Sequence, residues 1–159
     1  MSATDFRGKI GTTFSESTPD WPDPPSSHDG TSPNVLVVLL DDTGFGNFGC
    51  YGSVIDTPYF DELAGGGLRY SNFHVTPLCS PTRASLLTGR NHHAVGMGSL
   101  ANMHDIGFPS RRALVSRNAG TLAEILREEG YSTYALGKWH LNPAEHNSAA
   151  GPRHGWPLQ

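Results

Sequence analysis

The sequence predicts an α/β fold, built on an open and mostly parallel β-sheet with helices on both faces. Three segments are predicted as strands, at 34–40, 68–75 and 131–136, and helical segments lie between them. The first strand, NVLVVLL, is apolar throughout, which is typical of a strand buried on both faces of a parallel sheet. Strands that alternate with helices favour parallel pairing, because each helix returns the chain to the start of the next strand.

Residues 1–33, ahead of the first strand, are predicted to be an irregular leader. Residues 18–33 read TPDWPDPPSSHDGTSP, and proline removes the backbone donors that a helix or a sheet needs. We therefore divide the chain into a leader at 1–33 and part of an α/β domain at 34–159.

The helices are predicted from signals at their ends. Pro58 can occupy the first turn of one helix, and Gly89 can end another through a left-handed backbone. Thr121 and Glu124 fit a capping box, in which each side chain bonds the backbone of the other residue. The predicted helices are 59–64, 80–88 and 121–129, and residues 92–117 show no clear period.

Composition narrows the classes of protein and partner. The net charge is −4 with scattered basic residues, so we expect no nucleic-acid partner. No apolar run is long enough to cross a bilayer, and residues 1–11 do not resemble a secretory signal, so we expect a cytoplasmic protein with no membrane partner. Both cysteines, Cys50 and Cys79, are interpreted as unpaired thiols.

Polar residues follow all three predicted strands, where ligands gather in parallel sheets. Asp41 and Asp42 follow the first strand, and adjacent carboxylates are costly unless a cation or hydrogen-bond donors neutralise them. Their hard oxygen atoms favour Ca²⁺ or Mg²⁺. An Asp ahead of Thr-Gly can equally form a simple turn.

The segment from Cys79 to Arg83 places a thiol at a helix N-terminus and a guanidinium one turn further on the same face. Backbone donors at that terminus and the fork of Arg83 together suit a tetrahedral anion. Lys138 and His140 stand at alternate positions after the third strand, where they could bind an anion and move a proton. The alternatives are a structural cysteine and solvated surface residues.

Two segments resemble a known family. Residues 77–90, PLCSPTRASLLTGR, look like the sulfatase signature built on C-x-P-x-R, and residues 130–140, GYSTYALGKWH, resemble its second signature. With the Asp41-Asp42 pair ahead of them, the chain resembles the N-terminal portion of a type I, formylglycine-dependent arylsulfatase. The resemblance implies an alkaline-phosphatase-like fold and a sulfuric ester hydrolase.

The resemblance also implies a nucleophile and a metal. A formylglycine-generating enzyme would oxidise Cys79 to formylglycine, whose hydrated form attacks the sulfur of a sulfate ester and forms a covalent intermediate. Asp41, Asp42 and the modified Cys79 would bind a divalent cation, Ca²⁺ in most relatives with Mg²⁺ as the alternative.

Three further residues match the family's functional positions. Arg83 would hold the diol, Lys138 would contact the sulfate ester, and His140 would assist the elimination of sulfate. Cys50 matches no role and is interpreted as structural. His92 and His93 follow the first signature and could line the substrate entrance or simply lie at the surface.

The family needs more ligands than this sequence offers. Relatives use a further Asp, an Asn, a second Lys and a second His downstream, whereas the 19 residues after His140 contain no Asp or Lys. We therefore expect an N-terminal fragment that is inactive alone. A phosphonate or phosphate monoester hydrolase of the same superfamily and a non-catalytic truncated remnant are the alternative hypotheses.

Overall fold

The computed structural model describes residues 6–21 and 31–146, and most of the leader's proline-rich part lies outside these ranges. Across the described ranges, α-helices form at Pro58–Gly66 (α1), Cys79–Thr88 (α2) and Leu122–Glu128 (α3). Short 3₁₀ turns form at Phe14–Glu16, Phe45–Asn47, Gly49–Tyr51 and Ala144–His146. Within the same ranges, every helix is too short or too polar to cross a membrane.

The predicted helices are confirmed, and their ends follow the local signals. Pro58 occupies the first turn of α1, and Gly89 ends α2 in the left-handed region with φ of 64°. At α3 the Thr121 hydroxyl accepts a hydrogen bond from the Glu124 backbone N–H, and the Glu124 carboxylate accepts one from the Thr121 N–H. Capping of this kind depends on neighbours in sequence, which is why it can be predicted.

The predicted parallel sheet is not confirmed. Residues 34–40, 68–75 and 131–136 run without strand pairing, and the described residues contain only two isolated bridges, Lys9 with Thr18 and Met97 with Arg111. The first segment keeps apolar side chains at the surface, with Leu36 87% exposed. A strand gains its hydrogen bonds from its neighbours, and these three segments do not pair with one another.

The hydrophobic core lies instead around α2 and the irregular segment that follows it. Its buried side chains are Ala84, Val95, Met97, Ala101, Val115, Ala119 and Leu141, with Leu87 and Trp139 packed against them. We call residues 79–119 and 139–142 the packed region. Residues 35–45 and 68–78, where the apolar side chains remain largely exposed, form the open region.

Backbone hydrogen bonds hold the irregular part of the packed region. Gly98 donates to the Ser110 carbonyl at 2.7 Å and Arg112 donates to the Gly96 carbonyl at 2.8 Å. Gly96 has φ of 86°, and a β-carbon there would lie 2.8 Å from the Leu114 carbonyl oxygen. The close crossing of these two segments therefore requires glycine at this position.

Candidate active site

Cys79 is the first residue of α2, so its thiol lies at the helix N-terminus. The preceding turn is fixed by the Thr76 and Thr82 hydroxyls, 2.6 Å apart, and by a hydrogen bond from the Thr76 hydroxyl to the Leu78 carbonyl. Leu78 has extended backbone and its carbonyl accepts the first helical bond, from Thr82. The thiol therefore lies at the positive end of the helix dipole.

His140 lies against Cys79. Its Nδ1 is 3.0 Å from the Cys79 Sγ, and its backbone carbonyl accepts a hydrogen bond from the Ser80 hydroxyl at 2.7 Å. The next residue, Leu141, is buried in the core, and His140 itself has a left-handed backbone with φ of 54°. A residue with a β-carbon is strained there, so the surrounding contacts determine this position.

Arg83 lies one turn after Cys79 and extends toward the segment that carries His140. Its Nη1 donates to the Lys138 carbonyl, and its Nη2 lies 3.4 Å from the Asp41 Oδ1. The Nε is buried and has no hydrogen-bond partner in the described part of the chain. The Nε–H of the guanidinium is thus left without an acceptor among the described residues.

Asp41 joins the open region to the packed region through its carboxylate. The Lys138 Nζ donates to its Oδ2 at 2.6 Å, while Arg83 faces the other oxygen. The hydrogen bond from Lys138, with a smaller contribution from Arg83, lowers the pKa of Asp41. The same bond raises the pKa of Lys138, so both groups stay charged near neutral pH.

The imidazole of His140 tends toward its neutral form. Burial is the main cause that lowers its pKa, and the positive charges of Lys138 and Arg83 add to the effect. A neutral imidazole has one nitrogen that donates and one that accepts, which lets the ring take up a proton.

The carboxylates match a hard divalent cation in donor type but not in number. Asp42 follows Asp41 with φ of 50°, and it is not joined to the other site residues by any hydrogen bond or ion pair between described residues. No group of three or more His, Cys, Asp or Glu side chains positioned to hold a metal ion occurs among residues 6–21 and 31–146. Ca²⁺ prefers six or more oxygen ligands, so these residues would form part of a site only.

A cavity of about 750 Å³ opens beside the thiol. Asp41, Asp42, Cys79 and Arg83 line it together with mainly apolar residues of the open region, which include Phe45 and Tyr70. A cavity of this volume accommodates a small molecule, and charged groups are part of its lining.

Two residues contact this site that sequence reasoning did not single out. The Asn102 Oδ1 lies 3.1 Å from the His140 Nε2, and the Ser80 hydroxyl bonds the His140 backbone. Ser80 could have been noticed as a polar residue in the first turn of a predicted helix. Asn102 lies in a segment with no periodicity, and no local signal indicates its contact.

The other predicted residues lie elsewhere. His92 bonds the Met97 carbonyl through Nδ1 at 3.0 Å, and its ring packs on that of His93 at a centroid distance of 4.0 Å. The Cys50 backbone N–H donates to the Asp61 carboxylate at 2.7 Å, which fixes the 3₁₀ turn on α1. Both cysteines are free thiols in the structure.

Residues 33–156 match the family model described as Sulfatase. Bovine (Bos taurus) arylsulfatase A is 42% identical over 126 residues, which are 78% of this chain and 24% of that protein. Human (Homo sapiens) steryl-sulfatase is 38% identical over 123 residues, which are 76% of this chain and 21% of that protein. The chain thus spans less than a quarter of the length of these curated relatives.

Proposed function

Because this chain belongs to the sulfatase family, we propose that it supplies the nucleophile and the sulfate-binding groups of a sulfuric ester hydrolase. One observation carries the proposal. Cys79 stands at the N-terminus of α2 with the imidazole of His140 at 3.0 Å and the cations Arg83 and Lys138 beside it. Family membership also implies an alkaline-phosphatase-like fold.

Cys79 is proposed to act after oxidation to formylglycine by a formylglycine-generating enzyme. The hydrated aldehyde supplies a hydroxyl nucleophile, and Sγ marks where one of its oxygens would lie. The N-terminus of α2 favours negative charge at this position, because its first backbone N–H groups have no partner within the helix. Cys50 lacks this setting, since it lies in a 3₁₀ turn.

Arg83 is proposed to hold an oxygen at the nucleophile or on the sulfate group. Its two terminal nitrogens are engaged by Lys138 and Asp41, whereas the buried Nε still has a hydrogen to donate. A buried donor without an acceptor is costly, and an anionic oxygen would satisfy it.

Lys138 is proposed to contact an oxygen of the substrate, and His140 is proposed to accept a proton. Lys138 carries a charge that its bond to Asp41 stabilises, so it can contact a sulfate oxygen or the oxygen of the departing alcohol. His140 has its pKa lowered and faces Cys79, so it can accept a proton from a hydroxyl at that position.

Asp41 and Asp42 are proposed as two of the ligands of a divalent cation, with Ca²⁺ preferred over Mg²⁺. Such a cation would polarise the sulfate oxygens when bound. The modified residue 79 would add an oxygen ligand, and the remaining ligands must come from groups other than those described. Lys138 and Arg83 hold Asp41 in place beside Cys79.

The substrate is proposed to be a sulfate ester, because the relatives reported above are named steryl-sulfatase and arylsulfatase A. The test compares hydrolysis of an aryl sulfate and of the matching aryl phosphate by the natural protein that carries this chain. We expect the sulfate ester to be preferred and Cys79→Ala to abolish its turnover, while Cys50→Ala leaves it unchanged. Preference for the phosphate ester would instead identify a phosphomonoester or phosphonate hydrolase.

A further inference from the structure

One buried hydroxyl ties three parts of the packed region together beside the thiol. Ser80, in the first turn of α2, is fully buried. Its Oγ donates to the His140 carbonyl at 2.7 Å and accepts the Ala101 backbone N–H at 3.1 Å. Ala101 is itself fully buried, so the backbones of His140 and of the residue before Asn102 are fixed against the same atom.

The side chains of those two fixed segments meet at the imidazole ring. The His140 ring has its Nδ1 3.0 Å from the Cys79 Sγ and its Nε2 3.1 Å from the Asn102 Oδ1. An amide oxygen can only accept a hydrogen bond, so this contact is a hydrogen bond only when the Nε2 carries the hydrogen. The Nδ1 of a neutral ring is then left with its lone pair directed at residue 79.

We propose that Asn102 is a positioning residue, which selects the Nε2–H tautomer of His140 and aims its Nδ1 at the nucleophile position. This inference rests on the proposed function for its catalytic meaning, but the tautomer itself does not depend on turnover. With Nε2–H held by Asn102, a proton released by a hydroxyl at residue 79 passes to Nδ1. The other tautomer would present an N–H to that hydroxyl and could not accept its proton.

The backbone of His140 explains why such a contact is needed. A residue with a β-carbon at φ of 54° lies in a sparsely populated region, and it keeps that conformation only when its surroundings hold it. The Ser80 hydroxyl holds the backbone of His140, whereas the orientation of the ring depends on the contacts at its two nitrogens. Asn102 provides the contact on the side away from Cys79.

The experiment uses the natural protein that carries this chain, in wild-type form and as Asn102→Leu and Asn102→Asp variants. Leucine keeps the approximate shape but removes the acceptor, whereas aspartate keeps an acceptor oxygen. The matched control is Asn91→Leu, since the Asn91 Oδ1 lies 3.3 Å from the Nδ1 of His93 in an exposed contact, and neither residue lines the cavity beside the thiol. We expect Asn102→Leu to lower kcat by roughly tenfold to a hundredfold with little change in KM. We expect Asn102→Asp to restore most of this loss and Asn91→Leu to have no effect.

A spectroscopic measurement separates this inference from the proposed function. Long-range ¹H–¹⁵N NMR of the ¹⁵N-histidine-labelled protein, with the His140 signals assigned by their loss in His140→Gln, reports the tautomer of the neutral ring. We expect Nε2–H in the wild type and in Asn102→Asp, and loss of that preference in Asn102→Leu. A wild-type ring with Nδ1–H overturns the inference even if Asn102→Leu fails to fold. An unchanged spectrum and kcat in a folded Asn102→Leu also overturns it, while absence of sulfate-ester turnover in the wild type counts against the proposed function alone.

Discussion

The packed region and the open region both contain many apolar residues, but they differ in how far these side chains are buried. In the packed region Met97 and Leu141 are almost fully buried, although the backbone around Met97 is irregular. In the open region the uninterrupted apolar run 35–40 remains exposed. Burial in this chain therefore follows from which segments find partners, and hydrophobicity alone does not secure it.

The candidate active site lies across both regions. Cys79, Arg83 and His140 belong to the packed region or lie against it, so their positions follow from buried contacts. Asp41 comes from the open region and reaches the site through its ion pairs with Lys138 and Arg83. The nucleophile side of the site is thus held by packing, and the carboxylate side by charge.

The largest expected effect concerns the open region. Made alone, the 159-residue chain should show no measurable turnover of an aryl sulfate, even with Ca²⁺ and after co-expression with the formylglycine-generating enzyme. Asp41 and Asp42 offer too few oxygens for a cation that prefers six or more, and exposed apolar segments promote aggregation. The measurement is an activity assay beside a thermal melt. Turnover that disappears on Cys79→Ala, together with one sharp transition, would contradict the prediction.

A substitution in each region tests the difference in burial directly. Met97→Ala should lower the free energy of unfolding of the packed region by about 2 to 5 kcal/mol, because it leaves a cavity among buried side chains. Val38→Ala should change it by less than about 0.5 kcal/mol, because the valine is 66% exposed. Both changes in the free energy of unfolding can be measured by urea unfolding, with hydrogen exchange of the amides at 91–119 as the readout. Equal losses would show that the two regions are packed alike.

The two cations of the site should contribute comparable amounts to turnover by the natural protein that carries this chain. Arg83→Ala and Lys138→Ala should each reduce kcat on the order of 10²-fold, as removal of one donor to a developing charge does. Arg69→Ala is the matched control, since Arg69 bonds the Cys50 carbonyl outside the site. Wild-type kinetics for either test variant would remove that residue from the site.

The smallest expected effect concerns the cap of α3. Thr121→Ala should lower the free energy of unfolding by about 1 kcal/mol, because it removes a buried hydroxyl that caps the helix. Thr12→Ala is the control, since its hydroxyl donates to Glu16 at 2.7 Å in an exposed contact. Its effect should stay below about 0.5 kcal/mol. Urea denaturation of both variants, made in the natural protein that carries this chain, decides whether burial sets the difference.

The helices were predictable because their signals are local. Pro58, Gly89 and the Thr121–Glu124 pair each act on backbone within one turn, so neighbouring residues are sufficient to indicate them. The strands were not predictable in this way, because a run such as 34–40 acquires strand structure only from a paired neighbour. The irregular core at 95–115 was also missed, since it has neither helical nor strand periodicity.

The site shows the same division. The expectation that polar groups after the predicted strands would gather is met in the geometry for Asp41, Cys79 and Lys138, despite the absence of strand pairing in the described residues. Asn102 could not be predicted, because its contact with His140 spans 38 residues. Ser80 lies within the motif, but its role depends on two distant backbone groups.

The two hydrogen bonds of Ser80 also indicate an order in which the candidate active site can assemble during folding. One closes a span of 21 residues, to Ala101, and the other a span of 60 residues, to His140. Closure of the longer span costs about 0.9 kcal/mol more chain entropy, and contacts of such high sequence separation form slowly. We therefore expect the Ala101 segment to dock on α2 early in folding. His140 would then arrive late, on a surface that is already formed.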